Sequence, residues 1–248
     1  MYVERVTVAG ATVEIERYYT NRYRKKNESR KPKQKPSSDQ QREANNRRAG
    51  KRLRQLINAN FSPGDYHLIL SYEKKPGDPE RSPEDMREDI RKFLRVLRKE
   101  YKLQGKELKY IHVPEIGSKG ARHHHLVINR IDSEAIRKGW QYGFIQLCPL
   151  DGSRNWRKLA AYLLKYSCRV IGTEFEISGK RWNASRNLVH PEPIVTVITK
   201  KDYFKSVPVV PRKYRGLYEV DKSTIESGET ADEYGGYRFL RYTLMRRD

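Results

Sequence analysis

Residues 122–129 read Arg122-His123-His124-His125-Leu126-Val127-Ile128-Asn129. Three histidines run straight into an apolar, β-branched segment, which is strand-forming composition. Side chains alternate faces along a strand, so His123 and His125 share one face and His124 points to the other. Two imidazoles separated by one residue can converge on a divalent metal ion. The run is internal and short, and it follows the turn-forming segment Glu115-Ile116-Gly117-Ser118-Lys119-Gly120. It is therefore not read as a purification tag. A lone histidine is ordinarily a satisfied core or surface residue. Two of the chain's six histidines on one face of a strand favour a metal or catalytic site.

The surroundings predict the rest of a compact unit. Residues 66–72 read as a buried strand. Ser82 is an N-cap with Pro83 at the first helical position, and the apolar face follows at Met86, Ile90, Phe93, Leu94 and Leu97. Strands are expected at 108–115 and 122–130, a short helix at 133–138, a strand at 143–148 and a helix at 154–169. The order β-α-β-β-α-β-α predicts an α+β fold, with helices packed on one face of a mainly antiparallel sheet.

Outside that unit the pattern is weaker. Residues 2–19 suggest a hairpin around Ala9-Gly10, and 24–38 a basic, Pro- and Ser-rich linker. From Asp39 to about Asn60 the pattern is helical, with Leu53, Leu56 and Ile57 on one stripe and six Lys or Arg from Arg42 to Arg54. That basic face is either solvated or in contact with DNA. Strand-like pieces follow at 175–177 and 193–199, and the last fifty residues read as loop-rich and basic. The expected division is a basic N-terminal extension, 1–61, a core, 62–172, and a basic C-terminal extension, 173–248, packed on the core.

Formal net charge is +21, from 52 Lys+Arg against 31 Asp+Glu. This balance suits a polyanion, most simply nucleic acid, and suits a neutral small-molecule substrate poorly. Residues 1–60 hold 16 Lys+Arg against 6 Asp+Glu, about half of the excess, so the basicity is not confined to a tail. Seventeen tyrosines offer stacking surfaces for single-stranded bases, although most will be ordinary packing residues. Cys148 and Cys168 form no CxxC pair, which argues against a zinc knuckle or disulfide scaffold. With no signal peptide or long apolar span, the expectation is a soluble, cytoplasmic protein with no membrane partner.

The helix at 154–169 carries chemistry of its own. At 100° per residue Trp156, Leu159, Ala160 and Leu163 cluster toward the core, while Lys158, Tyr162, Lys165, Tyr166 and Arg169 fall elsewhere. Tyr162 neighbours both Lys165 and Tyr166. A tyrosine beside a lysine, off the core stripe, is a candidate nucleophile. Tyr166 lies nearer the stripe, where packing is the competing role.

These motifs, in this order, resemble the HUH-endonuclease superfamily. The closest likeness is to the single-domain rolling-circle replication initiators of phages and plasmids, microvirus- and inovirus-like proteins included. An apolar strand (66–72) is followed by a His-x-His strand (His123 to His125) and then by a Tyr-x-x-Lys helix (Tyr162 to Lys165). The likeness spans about residues 60–170 by motif. The middle position of the histidine strand, usually apolar, is His124 here. The two-tyrosine helix ends in Arg169 where the family has Lys.

The resemblance implies a ferredoxin- or RRM-like β-α-β-β-α-β core and a Mn²⁺ or Mg²⁺ ion held by His123, His125 and the upstream Glu115, with Gln146 a weaker third ligand. It implies attack by Tyr162 on a DNA phosphodiester, with Lys165 stabilising charge and Tyr166 a candidate second nucleophile. It also implies single-stranded DNA at a replication origin as substrate, and a host helicase and polymerase as partners. The chain carries no GxxxxGK[ST] string, so unwinding is expected from outside this sequence. Arg122, Lys158, Arg169, Trp182 and Arg186 are candidate DNA contacts. The alternatives are a non-catalytic RRM-like single-strand binder, which would carry aromatics at 123–125 and a glycine-aromatic string this chain lacks, and a transposase or relaxase with the same chemistry. Relaxases usually place the tyrosine before the histidines, the reverse of the order here.

Overall fold

A computed structural model describes residues 1–20, 39–73, 80–117, 120–170, 181–199, 207–232 and 235–247, without the side chains of 39–42, 166–170 and 230–235. The linker expected at 24–38 and the strand expected at 175–177 lie outside the described residues. The elements are β1 (Tyr2–Ala9), β2 (Thr12–Tyr19), α1 (Asp39–Asn60), β3 (Tyr66–Ser71), α2 (Pro83–Leu103), β4 (Tyr110–Ile116), β5 (Arg122–Ile128), α3 (Ser133–Gly139), β6 (Ile145–Pro149), α4 (Arg157–Val170), β7 (Asn183–Ala184), β8 (Ile194–Ile198), β9 (Tyr218–Asp232) and β10 (Gly235–Arg246). The chain divides into two compact units, Met1–Gln40 with His190–Asp248, and Gln41–Val189. The boundaries expected at 61 and 172 both fall inside the second unit.

In the Gln41–Val189 unit the sheet order is β6-β3-β5-β4-β7, and every pairing is antiparallel. The first four strands in that order make the ferredoxin-like arrangement of a β-α-β-β-α-β chain. Ser82 caps α2 in a capping box: its hydroxyl accepts from the Asp85 amide, and the Asp85 side chain accepts from the Ser82 amide. Gly143, at φ +156°, lies against the end of β3. A Cβ there would sit 2.4 Å from both Ser71 O and Glu73 N, so only glycine fits at this point, two residues before β6.

Helices cover both faces of this sheet rather than the one expected. Leu68, Leu70, Leu126 and Ile128 pack beneath α2 and α3 with Phe93, Leu94, Leu97 and Ile136. Ile111, Val113 and Val127 pack on the other face with Leu53, Leu56 and Ile57 of α1 and Ala160 and Leu163 of α4. The reason is in the strands: β4 and β5 carry apolar residues in both alternating sets, and each set requires a cover. The leucine stripe of α1 therefore belongs to the core, although the charge of the helix suggested a separate extension.

The Met1–Gln40 and His190–Asp248 unit is a sheet of order β8-β1-β2-β10-β9. The β1–β2 hairpin turns at Gly10, φ +58°, as its alternation predicts. Val13, Ile15, Leu240, Tyr242 and Leu244 form its core. The final fifty residues correct the loop-rich expectation, because β9 and β10 are strands of 15 and 12 residues. The described outer residues of β9 are mostly exposed and polar, so its sequence lacks the alternation that marks a half-buried strand.

Candidate active site

The pairing of β5 with its neighbours assembles the site. Glu115 lies opposite His123 and Val113 opposite His125 across the β4–β5 ladder. On the other side Ile69 lies opposite His125 and His67 opposite Val127. Residues directly opposite share a face, so Glu115, His123, His125 and His67 all point to the face that α4 covers. Gln146, opposite Ile69, points the same way but is exposed.

His125 is the hub. It is 2% exposed, its Nε2 donates to Glu115 Oε2 at 2.7 Å, and its Nδ1 lies 3.3 Å from Nε2 of His67. Glu115 and His67 are each 8% exposed. Burial, and then the neighbouring His125, push the His67 pKa down to about 4, so its ring is neutral at physiological pH. The His123 ring is half-buried with its centroid 6.5 Å from that of His125. Burial lowers its pKa, while the Glu115 charge opposes the shift.

Tyr162 of α4 completes the cluster. Its ring meets His125 edge-on at 5.5 Å between centroids and His67 at 6.0 Å. At 38% exposure it is also open to a bound chain. Lys158 and Lys165, four residues before and three after, are exposed beside it. Tyr166 and Arg169 lie on α4, with side chains outside the described residues.

Helix α1 fixes the position of α4. Asn58 is 3% exposed; its Oδ1 accepts from the Trp156 amide at 3.1 Å and its Nδ2 donates to Asn155 Oδ1 at 3.2 Å, just ahead of α4. Further along, a Cβ on Gly50 would lie 3.1 Å from Leu164 Cδ2, so the helices approach closely there. The core stripe of Trp156, Ala160 and Leu163 is buried as the helical period predicts.

The donor set suits a hard or borderline divalent cation: two imidazoles and a carboxylate on one face of the sheet. Among the described residues no three His, Cys, Asp or Glu side chains stand converged as ligands. Both nitrogens of His125 are engaged by protein groups, so ligation would replace its bond to Glu115. By donor chemistry His123, His125 and Glu115 would suit an ion once that bond is exchanged.

His124, on the other face, has a structural explanation. It is fully buried, with Nε2 3.0 Å from the Tyr72 hydroxyl and Nδ1 3.0 Å from His112 Nε2, and it packs edge-on against Trp140. Burial holds its pKa well below the ordinary histidine value, helped by His112. Burial likewise lowers His112 to about 3 and, with Asp89, raises the Tyr72 phenol. A polar side chain occupies an apolar position because flanking strands satisfy both its nitrogens.

The candidate DNA contacts differ in setting. Arg122 is held in the β4–β5 turn, its Nη1 donating to Glu80 Oε2 at 2.9 Å and to Gly120 O at 2.8 Å. Trp182 is partly buried against the α1–α4 cluster, whereas Lys158 and Arg186 are exposed. Sequence reasoning missed His67 and Asn58. For His67 the signal was a polar residue inside an apolar run, which spacing rules alone do not single out.

The sheet is ferredoxin-like, and its histidine strand faces the tyrosine helix α4. Residues 65–169 match the family model described as Replication-associated protein ORF2. The match begins one residue before β3 and ends within α4, so it contains the histidine strand and the tyrosine helix and excludes α1. That segment is similar to this family, which is consistent with a rolling-circle replication initiator. No curated protein and no solved structure matches the chain.

Proposed function

We propose that the protein nicks and rejoins single-stranded DNA at a replication origin through a tyrosine-linked intermediate. The observation that carries this reading is the contact of the Tyr162 ring with His125, the residue hydrogen-bonded to Glu115. Tyr162 Oη attacks a backbone phosphorus; the phosphorus–O3′ bond breaks as the tyrosine–phosphate bond forms. The phenolic proton is balanced by the one the departing 3′-oxygen takes up, so the step is a transesterification and consumes no water. Attack by a 3′-hydroxyl on the phosphotyrosine reverses it and joins strands.

A phenol, with a pKa of roughly 10, is a weak nucleophile at neutral pH and needs help. His123, His125 and Glu115 would hold Mn²⁺ or Mg²⁺, which would draw charge from the scissile phosphate. Lys165 and Lys158, exposed beside Tyr162, would favour the anionic phosphate and the developing phenolate. Formal charge of +21 favours a nucleic-acid strand over a neutral substrate.

The test is to incubate the protein with origin-like single-stranded DNA and Mn²⁺ and to look for a covalent adduct on a denaturing gel. An adduct lost on chelation and in Tyr162→Phe supports the proposal. Tight binding without adduct under Mn²⁺ and Mg²⁺ would support a non-catalytic binder instead.

A further inference from the structure

We infer that His67 is a positioning residue of this site, holding the ring of His125 at Nδ1 while presenting its own ring to Tyr162. The inference rests on the nicking reading above. Within Tyr66-His67-Leu68-Ile69-Leu70, His67 is a buried imidazole in an apolar run, on the face that α4 covers. Burying such a group costs free energy unless it makes a compensating interaction. Its Nε2 lies 3.3 Å from His125 Nδ1, and its ring meets Tyr162 edge-on at 6.0 Å.

The proton count shows why a histidine suits this position. While His125 Nε2 donates to Glu115, a neutral His125 leaves Nδ1 as an acceptor, and His67 Nε2–H can donate to it. If Nε2 gives its lone pair to an ion instead, the His125 proton must sit on Nδ1, and His67 Nε2 must accept. A neutral imidazole can do either, one tautomer donating at Nε2 and the other accepting there. The same neighbour thus supports His125 with and without a ligated ion. Glutamine could substitute in part by turning its amide, whereas phenylalanine would fill the space and do neither.

The experiment is a Mn²⁺ titration of the full chain followed by the electron paramagnetic resonance signal of free Mn²⁺, with thermal midpoints recorded alongside. Wild type is expected to bind one ion and His125→Ala to lose it. His67→Phe is expected to weaken binding by about 10- to 100-fold, with His67→Gln recovering most of the loss. His67→Phe binding Mn²⁺ as tightly as wild type would overturn the inference. Equal weakening in both His67 variants, with matching losses of thermal midpoint, would also overturn it by assigning a packing role. Failure of wild type to bind Mn²⁺ would instead sink the metal reading itself, and this inference with it.

Discussion

His125 on β5 and Glu115 on β4 are joined by a 2.7 Å hydrogen bond that runs diagonally across the strand pair, since the residue directly opposite Glu115 is His123. One carboxylate therefore stands within the reach of both face-sharing histidines. This relation ties the candidate metal ligands to the sheet register, and a one-residue slip of β5 would turn both histidines to the face opposite Glu115.

Glu115→Gln keeps the volume but removes the charge. If Glu115 holds the proposed ion at the transferring phosphate, this should lower the nicking rate by about 100-fold, or roughly 3 kcal/mol. Single-turnover cleavage at saturating DNA measures this. A rate within a few-fold of wild type would remove Glu115 from the chemistry.

The buried histidines give stability a pH dependence of defined sign. A histidine whose folded pKa lies below its unfolded value binds its proton more readily when unfolded. Its contribution is fully present above the ordinary histidine value of 6.5 and declines as pH falls toward the folded value, about 3 for His112 and about 4 for His67. The loss is up to roughly 1.4 kcal/mol per pH unit for each histidine. Urea midpoints should accordingly be lower at about pH 5 than at about pH 7.5. An equal or higher midpoint at the lower pH would contradict the neutral, buried assignment.

Asn58 ties α1 to the start of α4 through two hydrogen bonds. Asn58→Ala should destabilise the fold by about 1–2 kcal/mol, as loss of a buried capping side chain does. Chemical denaturation measures the cost, and an unchanged midpoint would show that the α4 entry is fixed by other contacts.

Arg48 and Arg52 lie on the exposed face of α1. If that face follows a DNA strand, replacing each by Ala should reduce the salt slope of single-strand binding by about 0.7 per charge. A slope identical to wild type would mean the basic face is only solvated.

Much of the Gln41–Val189 unit was legible because its signals are local. Period-two alternation in Arg122-His123-His124-His125 selected the histidine face, and the helical period of Trp156, Ala160 and Leu163 set which side of α4 is buried. What escaped was non-local. The leucines of α1 gave no sign that they pack on the sheet face opposite α2, and the polar composition of β9 hid a long strand that pairing with β10 sustains. His67 was invisible for the same reason, because its meaning comes from a strand neighbour 58 residues away. Trp182, offered as a DNA contact, is partly buried against the α1–α4 cluster, where its indole meets apolar partners that spacing could not reveal.

The central claim is that Tyr162 is the nucleophile. It is tested most directly by trapping the protein on single-stranded origin-like DNA with Mn²⁺, digesting the adduct with nuclease and protease, and locating the nucleotide-bearing peptide by mass spectrometry. The account predicts a 5′-phosphate linkage on Tyr162. A linkage on Tyr166 or any other residue, or persistence of the adduct in Tyr162→Phe, would contradict it.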